Sequence, residues 1–401
     1  VRQRSSYALF PGLGAVLPEP EVLECARRLG GRLETAAVLL ALEPECYGYA
    51  DRGLEVGISF RHRNAKRSTM KKLDILDLLK KGTVLGDGGY VFELERRGYV
   101  QAGPYTPEVA LEHPEALEQL HVEFLRAGAE VLQALTFYAS EDKLEISGRA
   151  HLIQDINRAA VRIAKKAAKD DALVAGVVTL TPSYEHGNVE SLRKVRGLFD
   201  HQIALQKDEG VDFIIGETFI NLEEALLALD AIKASGLPSM LTMNFTVDGS
   251  SDGFSVEDCA RRLADRGADI IGMNCNYDPE VSLMIVERMR KAVNIHIACQ
   301  PVAYSTPHGT GPFFDHYCFP LSLEQLQLSR FELASFARRA RDIGVGYIGG
   351  CCGVLAYHVR AMAEALGRRP PASEKSPNLA RHVIPEIRTR SDEEYWHAAA
   401  H

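Results

Sequence analysis

Residues 212–246 read DFIIGETFINLEEALLALDAIKASGLPSMLTMNFT. An apolar run over 212–219 is followed by a stretch with 3.6-type apolar spacing over 221–235, then by a second apolar run over 239–246. Short continuous apolar runs suit strands buried on both faces, as in a parallel sheet. A strand, a helix and a strand in succession call for a right-handed crossover between parallel neighbours. Working outward, the same succession recurs. Eight such runs occur, at 83–89 (TVLGDGG), 131–137 (VLQALTF), 173–180 (LVAGVVTL), 212–219, 239–246, 269–275 (DIIGMNC), 296–302 (HIACQPV) and 345–352 (VGYIGGCC). Helical spacing is clear over 114–127, 153–169, 221–235, 256–266, 279–291 and 331–343, with a last helix over 356–366. Eight repeats over roughly three hundred residues match the count and size of a (β/α)8 TIM barrel. A doubly wound sheet is disfavoured: the first turn is GDGG rather than GxGxxG, and no P-loop occurs. We therefore expect an α/β chain with its barrel over 70–367, a poorly defined N-terminal extension over 1–69 and a short C-terminal tail over 368–401.

Bulk properties narrow the function. An apolar fraction of 46% with 25% charged residues describes an ordinary globular protein. A net charge of −8 argues against nucleic acid or an anionic membrane surface as the main partner. No apolar run is long enough to span a bilayer, and 8–17 lacks a signal-peptide layout. Eight cysteines scattered over 401 residues do not form a disulfide framework, so a reducing, cytoplasmic setting is expected. Within the extension, helices are plausible over 19–30 and 33–42, and the basic run RHRNAKR at 61–67 reads as a solvated or disordered face. The tail opens RRPPASEK and carries Trp396, the chain's one tryptophan, expected to pack on the barrel or on a partner subunit.

In such barrels the chemistry sits at the carboxyl ends of the strands. Those ends carry Asp87-Gly88-Gly89, Phe137-Tyr138, Glu217-Thr218-Phe219, Asn274-Cys275, Gln300 and Cys351-Cys352. Neighbouring strand residues point to opposite faces, so the adjacent cysteines can aim at one point only where the strand has ended. Gly349, Gly350 and Gly353 are expected to supply the backbone freedom for that bend. With Cys275 they would make three thiolates from two strand ends, an open zinc site whose fourth position is left for substrate, although with no CxxC pair and no HExxH the spacing alone does not settle it. Cys259, Cys299 and Cys318 read instead as small core hydrophobes, Cys299 being a weak reserve ligand. Three thiolates on a dication suit capture of an incoming thiol as thiolate better than activation of water. The natural chemistry is attack by sulfur on a soft electrophile such as a methyl group. Asp87 and Glu217 can accept hydrogen bonds from an ammonium group, and the Gly88–Gly89 backbone can approach a carboxylate. The plainer alternatives are that Asp87 fixes its turn and that Glu217 is a structural ion-pair partner. Tyr105, Phe137, Tyr138 and Phe219 offer faces for a cation, with simple packing the alternative for each. A redox role for the adjacent cysteines is disfavoured by the absence of CxxC.

The stretches GDGGYVFELERRGYVQAGPYTPE (86–108), HPEALEQLHVEFLRAGAEVLQALTFYASEDKLE (113–145), DIIGMNCNYDP (269–279), QPVAYSTP (300–307) and GVGYIGGCCG (344–353) resemble the homocysteine S-methyltransferase family, closest to its betaine–homocysteine branch. The likeness runs from about residue 71 to 375 and leaves 1–69 uncovered. It implies transfer of a methyl group from betaine to the zinc-bound thiolate of homocysteine, giving methionine and dimethylglycine. By position it implies Cys275, Cys351 and Cys352 as zinc ligands, Asp87 and Glu217 as residues that engage homocysteine, and Tyr138 as a tyrosine near metal and donor. Two departures bear on the donor. The family's GPWTPE reads GPYTPE here, placing Tyr105 where a cage tryptophan is expected, and EYFEHVEEA reads ETFINLEEA, placing Thr218 where a cage aromatic is expected. At about 0.5–2 kcal/mol per contact, betaine binding is expected to weaken by about tenfold or more. The alternatives are S-methylmethionine or another sulfonium as donor, or a non-catalytic zinc-binding paralogue. The chain stops soon after the EYW at 394–396, so the family's long C-terminal assembly segment is expected to be missing, which leaves a homo-oligomer possible.

Overall fold

Eight parallel strands run around one axis in sequence order. They are β1 (Val84–Leu85), β2 (Val131–Gln133), β3 (Leu173–Thr179), β4 (Phe213–Phe219), β5 (Ser239–Met243), β6 (Ile270–Asn274), β7 (His296–Gln300) and β8 (Tyr347–Ile348). The computed structural model describes residues 74–100, 108–306, 311–320 and 322–374, together with the short pair 7–8 and 17–18. Residues 1–70 and 71–401 are separate units. In the first, Tyr7–Ala8 pairs antiparallel with Leu17–Pro18. Tyr105, the helices expected over 19–30 and 33–42, the basic run at 61–67 and Trp396 lie outside the described residues.

Hydrogen-bonded ladders join β2 through β8 in order and β8 to β1, the arrangement expected of a TIM barrel. The lumen is filled by inward residues such as Val131, Ala175, Val177, Phe213, Ile215, Met240, Ile270 and Tyr347, with Ile75 and Leu79 from the opening helix Ile75–Lys81. The alternate residues, among them Leu132, Val174, Ile214, Leu241, Ile271 and Ile348, pack outward beneath the helices. Full burial of each large side chain contributes about 1.5–3 kcal/mol, so these two layers carry much of the stability.

No ladder joins β1 to β2. Side-chain carboxylates close this seam instead. The Glu130 N–H donates to the Leu85 carbonyl at 2.7 Å, while the Leu85 N–H donates to the Glu130 carboxylate at 2.9 Å. Arg368 holds that carboxylate from outside at 2.7 Å. One turn on, the Gln133 N–H donates to the Asp87 carboxylate at 2.7 Å. Strands expected over 83–89 and 131–137 are therefore shorter than their apolar runs. The run at 345–352 shortens to Tyr347–Ile348 for a related reason: past Gly349 the backbone bonds to loop carbonyls, Gly350 N–H to Asp87 and Cys351 N–H to Pro301, each at 2.9 Å.

The outer ring comprises α1 (Pro114–Ala127), α2 (Ile153–Ala168), α3 (Val189–Asp208), α4 (Leu222–Ser235), α5 (Val256–Asp265), α6 (Pro279–Ala292), α7 (Arg330–Asp342) and α8 (Ala356–Ala365). Caps mark several starts. Asn188, Ser255, Asp278 and Ser329 accept N–H bonds from their first turns, and Ser329 with Glu332 forms a full capping box. Helix α3 is absent from the sequence reading because its buried stripe includes Gln202 and Gln206 beside Val195, Phe199 and Ile203, which breaks the apolar period. Their Nε2 groups donate to the carbonyls of Thr136 and Val177 at 2.9 Å, so the buried donors are paired, while Gln206 Oε1 has no hydrogen-bond partner.

Candidate metal centre

Two strand ends turn sharply to aim the cysteines. After β6, Cys275 and Asn276 adopt left-handed backbone at φ 63° and 62°, and the Cys275 N–H donates to the Gln300 carbonyl at 3.0 Å. After β8, Gly353 takes φ 77°, and a Cβ there would sit 2.5 Å from the Tyr304 ring. Gly349 and Gly350 correct the expectation of backbone freedom, since neither has a positive φ. They supply room: a Cβ on Gly350 would lie 2.3 Å from Val354. Gly89 does the same for β1, where a Cβ would fall 2.7 Å from the Cys351 carbonyl oxygen.

The three sulfurs meet. Cys275 and Cys352 Sγ are 3.9 Å apart, Cys351 and Cys352 Sγ are 4.0 Å apart, and all three ligand atoms lie within 4.8 Å of one another. A tetrahedral ion with bonds of about 2.3 Å to sulfur demands sulfur–sulfur spacings of about 3.8 Å. Two of the spacings match this closely, and the third lies within 4.8 Å, so the trio is arranged for such an ion. The electrostatics agree. Hydrogen bonds from Cys351 and Cys352 hold the Cys275 thiol well below the ordinary range, while the same contacts and burial push Cys351 and Cys352 well above it. Three thiolates this close together repel one another, and a dication would offset that repulsion. Cys259, Cys299 and Cys318 are buried apart from this cluster, as expected of core cysteines.

A cavity of about 670 Å³ opens beside the sulfurs and is lined by Gly88, Gly89, Tyr138, Glu217, Thr218 and an aromatic wall. Glu217 is 8% exposed. Burial first, then the negative neighbours Cys351 and Asp87, push its carboxyl well above the ordinary range, with Lys143 pulling the other way. Tyr138 meets Phe137 edge-on at 4.6 Å between centroids. Burial and the three thiols push its hydroxyl pKa upward. Asp87 is wholly buried, and its carboxylate is committed: Oδ2 accepts from Tyr90 Oη and the Gln133 N–H, and Oδ1 accepts from Gln133 Nε2 at 3.1 Å. Phe219 does not reach the cavity; it packs against Phe199 at 5.9 Å in the outer layer.

Several residues at this mouth were not singled out as functional from sequence. Lys143, 5% exposed, donates to the Phe137 carbonyl at 3.2 Å and lies 5.0 and 5.6 Å from the Phe137 and Tyr138 ring centroids. Burial pushes its ammonium down to about 8. Phe92, Phe313, Phe314 and Phe319 form the aromatic wall, for which the dense PFFDHYCFP at 312–320 was an available signal. Asn274 gave none beyond its place next to Cys275.

A family profile described as homocysteine S-methyltransferase matches residues 84–366. Betaine–homocysteine S-methyltransferase 1 of Mus musculus is 47% identical over 345 residues, covering 81% of this chain and 84% of that protein. An S-methylmethionine–homocysteine S-methyltransferase of Pongo abelii is 40% identical over 350 residues, covering 84% and 93%. Among solved structures, a metallated form of a homocysteine methyltransferase from Escherichia coli superimposes with a TM-score of 0.59 at 20% identity, covering 72% of this chain and 98% of that one, a likeness of fold.

Proposed function

The chain belongs to the homocysteine S-methyltransferase family, and from that premise we propose a zinc-dependent S-methyltransferase that takes its methyl group from betaine. Methyl transfer to homocysteine follows from the family; zinc and betaine are our reading. The observation that carries it is the convergence of Cys275, Cys351 and Cys352 within 4.8 Å at the wall of a cavity shared with Glu217 and Tyr138. Zinc, when bound by these three sulfurs, supplies a fourth position at which an arriving thiol is held as its thiolate.

The residues of the chain do the rest. Glu217 receives the ammonium group of homocysteine, with Asp87 adding negative potential behind it, and the Gly88–Gly89 backbone admits the carboxylate at close approach. Phe137 and Tyr138 face the donor cation. A sulfur–carbon bond forms as the carbon–nitrogen bond of betaine breaks, and the nitrogen leaves with the electron pair as neutral dimethylglycine nitrogen. Positive donor and negative sulfur cancel charge in the transition state, so a cavity walled by Phe92, Phe313 and Phe319 favours reaction over the separated ions. Holding the two reactants in line supplies further acceleration.

A sulfonium donor is the second reading, favoured by Thr218 in place of a cage aromatic and by the relative that uses S-methylmethionine. A methionine-forming assay across betaine and S-methylmethionine, with titration calorimetry of each donor in the presence of homocysteine, tests the choice. Betaine turnover with the larger kcat/KM supports the first reading; turnover with S-methylmethionine alone overturns it.

A further inference from the structure

Asn274 is wholly buried, one residue before Cys275, and all four of its hydrogen-bonding positions are filled. Its Oδ1 accepts from the Thr218 N–H and the Thr242 hydroxyl, each at 2.8 Å. Its Nδ2 donates to Glu217 Oε2 at 3.1 Å and to Thr218 Oγ1 at 2.7 Å. An asparagine amide has two acceptor sites and two donors, so this one is saturated. Its orientation is also determined: the Thr218 N–H can only donate, so the atom facing it is the oxygen. Thr218 lies at φ 65°, unusual for a β-branched residue. Asn274 holds that conformation by gripping both the backbone and the hydroxyl of Thr218. One amide thereby joins the Glu217 carboxylate, the bend after it, strand β5 through Thr242 and the backbone that presents Cys275.

We propose that Asn274 and Thr218 form a positioning clamp that fixes the Glu217 carboxylate relative to the sulfur cluster, and that the Thr218 hydroxyl serves this clamp instead of contacting the methyl donor. The proposal rests on the reading of Glu217 as the ammonium-binding group. A side chain without a hydroxyl at 218 removes the partner of one Asn274 N–H at the edge of the cavity and frees the amide to turn away from Glu217. Geometry at the amino-acid end of the thiol substrate then loosens, while the metal ligands and the donor side are untouched.

The test is steady-state kinetics on the full-length zinc-loaded chain, with Thr218→Val, Thr218→Ser, Glu217→Gln and the double variant Thr218→Val/Glu217→Gln. Valine keeps the branched shape and removes the hydroxyl; serine keeps the hydroxyl. We expect Thr218→Val to raise KM for homocysteine about five- to thirtyfold, with donor KM and zinc content within about twofold of the parent. Thr218→Ser should stay within about twofold throughout, and Thr218→Val should add little in the Glu217→Gln background, because it acts through Glu217. Equal defects in the valine and serine variants, or a rise in donor KM instead of homocysteine KM, would overturn the clamp. If Glu217→Gln leaves homocysteine KM unchanged, the ammonium reading fails and takes the clamp with it. If Glu217→Gln raises KM and Thr218→Val does not, the clamp alone fails.

Discussion

Cys275 and Cys352 bring their Sγ atoms to 3.9 Å across 77 residues of chain. The pairing joins the ends of β6 and β8, which are not neighbours in the sheet; β7 lies between them. Such a contact needs the left-handed turn at Cys275 on one side and the crowded glycines before Cys351 on the other. The site's acid–base behaviour follows from this meeting.

Metal uptake should release protons. Contacts with Cys351 and Cys352 hold the Cys275 thiol below the ordinary range, and the contact with Cys275 together with burial pushes its two partners above it, so binding as three thiolates must displace protons from the trio. We expect net proton release on zinc binding at pH 7–8, read by calorimetry in buffers of different ionisation enthalpy. Release near zero would mean that the thiols are not the ligands.

Gly89→Ala should damage the centre without touching a ligand. The new Cβ would sit 2.7 Å from a backbone oxygen of Cys351, and a backbone neighbour gives way only by moving the cysteine loop. Overpacking of this kind costs about 1–3 kcal/mol, and we expect zinc affinity to fall roughly tenfold or more in competition with a chromophoric chelator. Gly197→Ala is the control. Within α3, with nothing within 4 Å of its Cβ, it should leave zinc affinity unchanged and stabilise the helix by about 0.5–1 kcal/mol. Equal zinc affinity in both variants would contradict the close-approach role of Gly89.

Asp87 should give the fold a stability that declines as pH rises. Burial pushes its carboxyl from 3.8 up to about 7, against hydrogen bonds from Tyr90 and Gln133 that pull it down. Between those values the folded state keeps a proton that the unfolded state has lost. The contribution is therefore fully present below about pH 4 and is lost through about pH 7. In Asp87→Asn, neutral at every pH, the fall in unfolding free energy from pH 5 to 8 should be smaller by about 2 kcal/mol. Denaturant titrations at the two pH values measure it, and an unchanged difference would show that Asp87 is ionised throughout.

Lys143→Met should move the pH profile of homocysteine use. The Lys143 ammonium favours the ionised form of Glu217 and lies against the faces of Phe137 and Tyr138. Methionine retains an apolar stem there and removes the charge. Without that charge the Glu217 carboxyl rises further, so kcat/KM for homocysteine should fall most at low pH and recover as pH increases. A loss of equal size at about pH 6.5 and 9 would assign Lys143 to packing alone.

The barrel was legible because strands buried on both faces leave continuous apolar runs, and 212–219 or 239–246 cannot be read otherwise beside a helix such as α4. The seam was not, because beside one backbone bond its acceptors are the side chains of Glu130 and Asp87, and no periodicity marks a carboxylate standing in for a carbonyl. Helix α3 was hidden by Gln202 and Gln206, buried polar residues whose partners come from the loop after β2 and from β3. At the site, the cysteines were found through their positions at strand ends, since register on a barrel decides which side chains reach the mouth. Tyr90 and Lys143 stayed invisible, and Asn274 was placed at its strand end without a role, because saturation of a buried amide or the meeting of an ammonium with two rings depends on several segments at once.

Zinc content tests the centre most directly. Purified wild-type chain and the single variants Cys275→Ala, Cys351→Ala and Cys352→Ala would be compared by elemental mass spectrometry after gel filtration, with circular dichroism to confirm the fold. We expect about one zinc per wild-type chain and far less in each variant, because an open three-sulfur site that loses one ligand holds the ion by two. Zinc retained at the wild-type level by any one of the three would contradict the ligand set and the chemistry built on it.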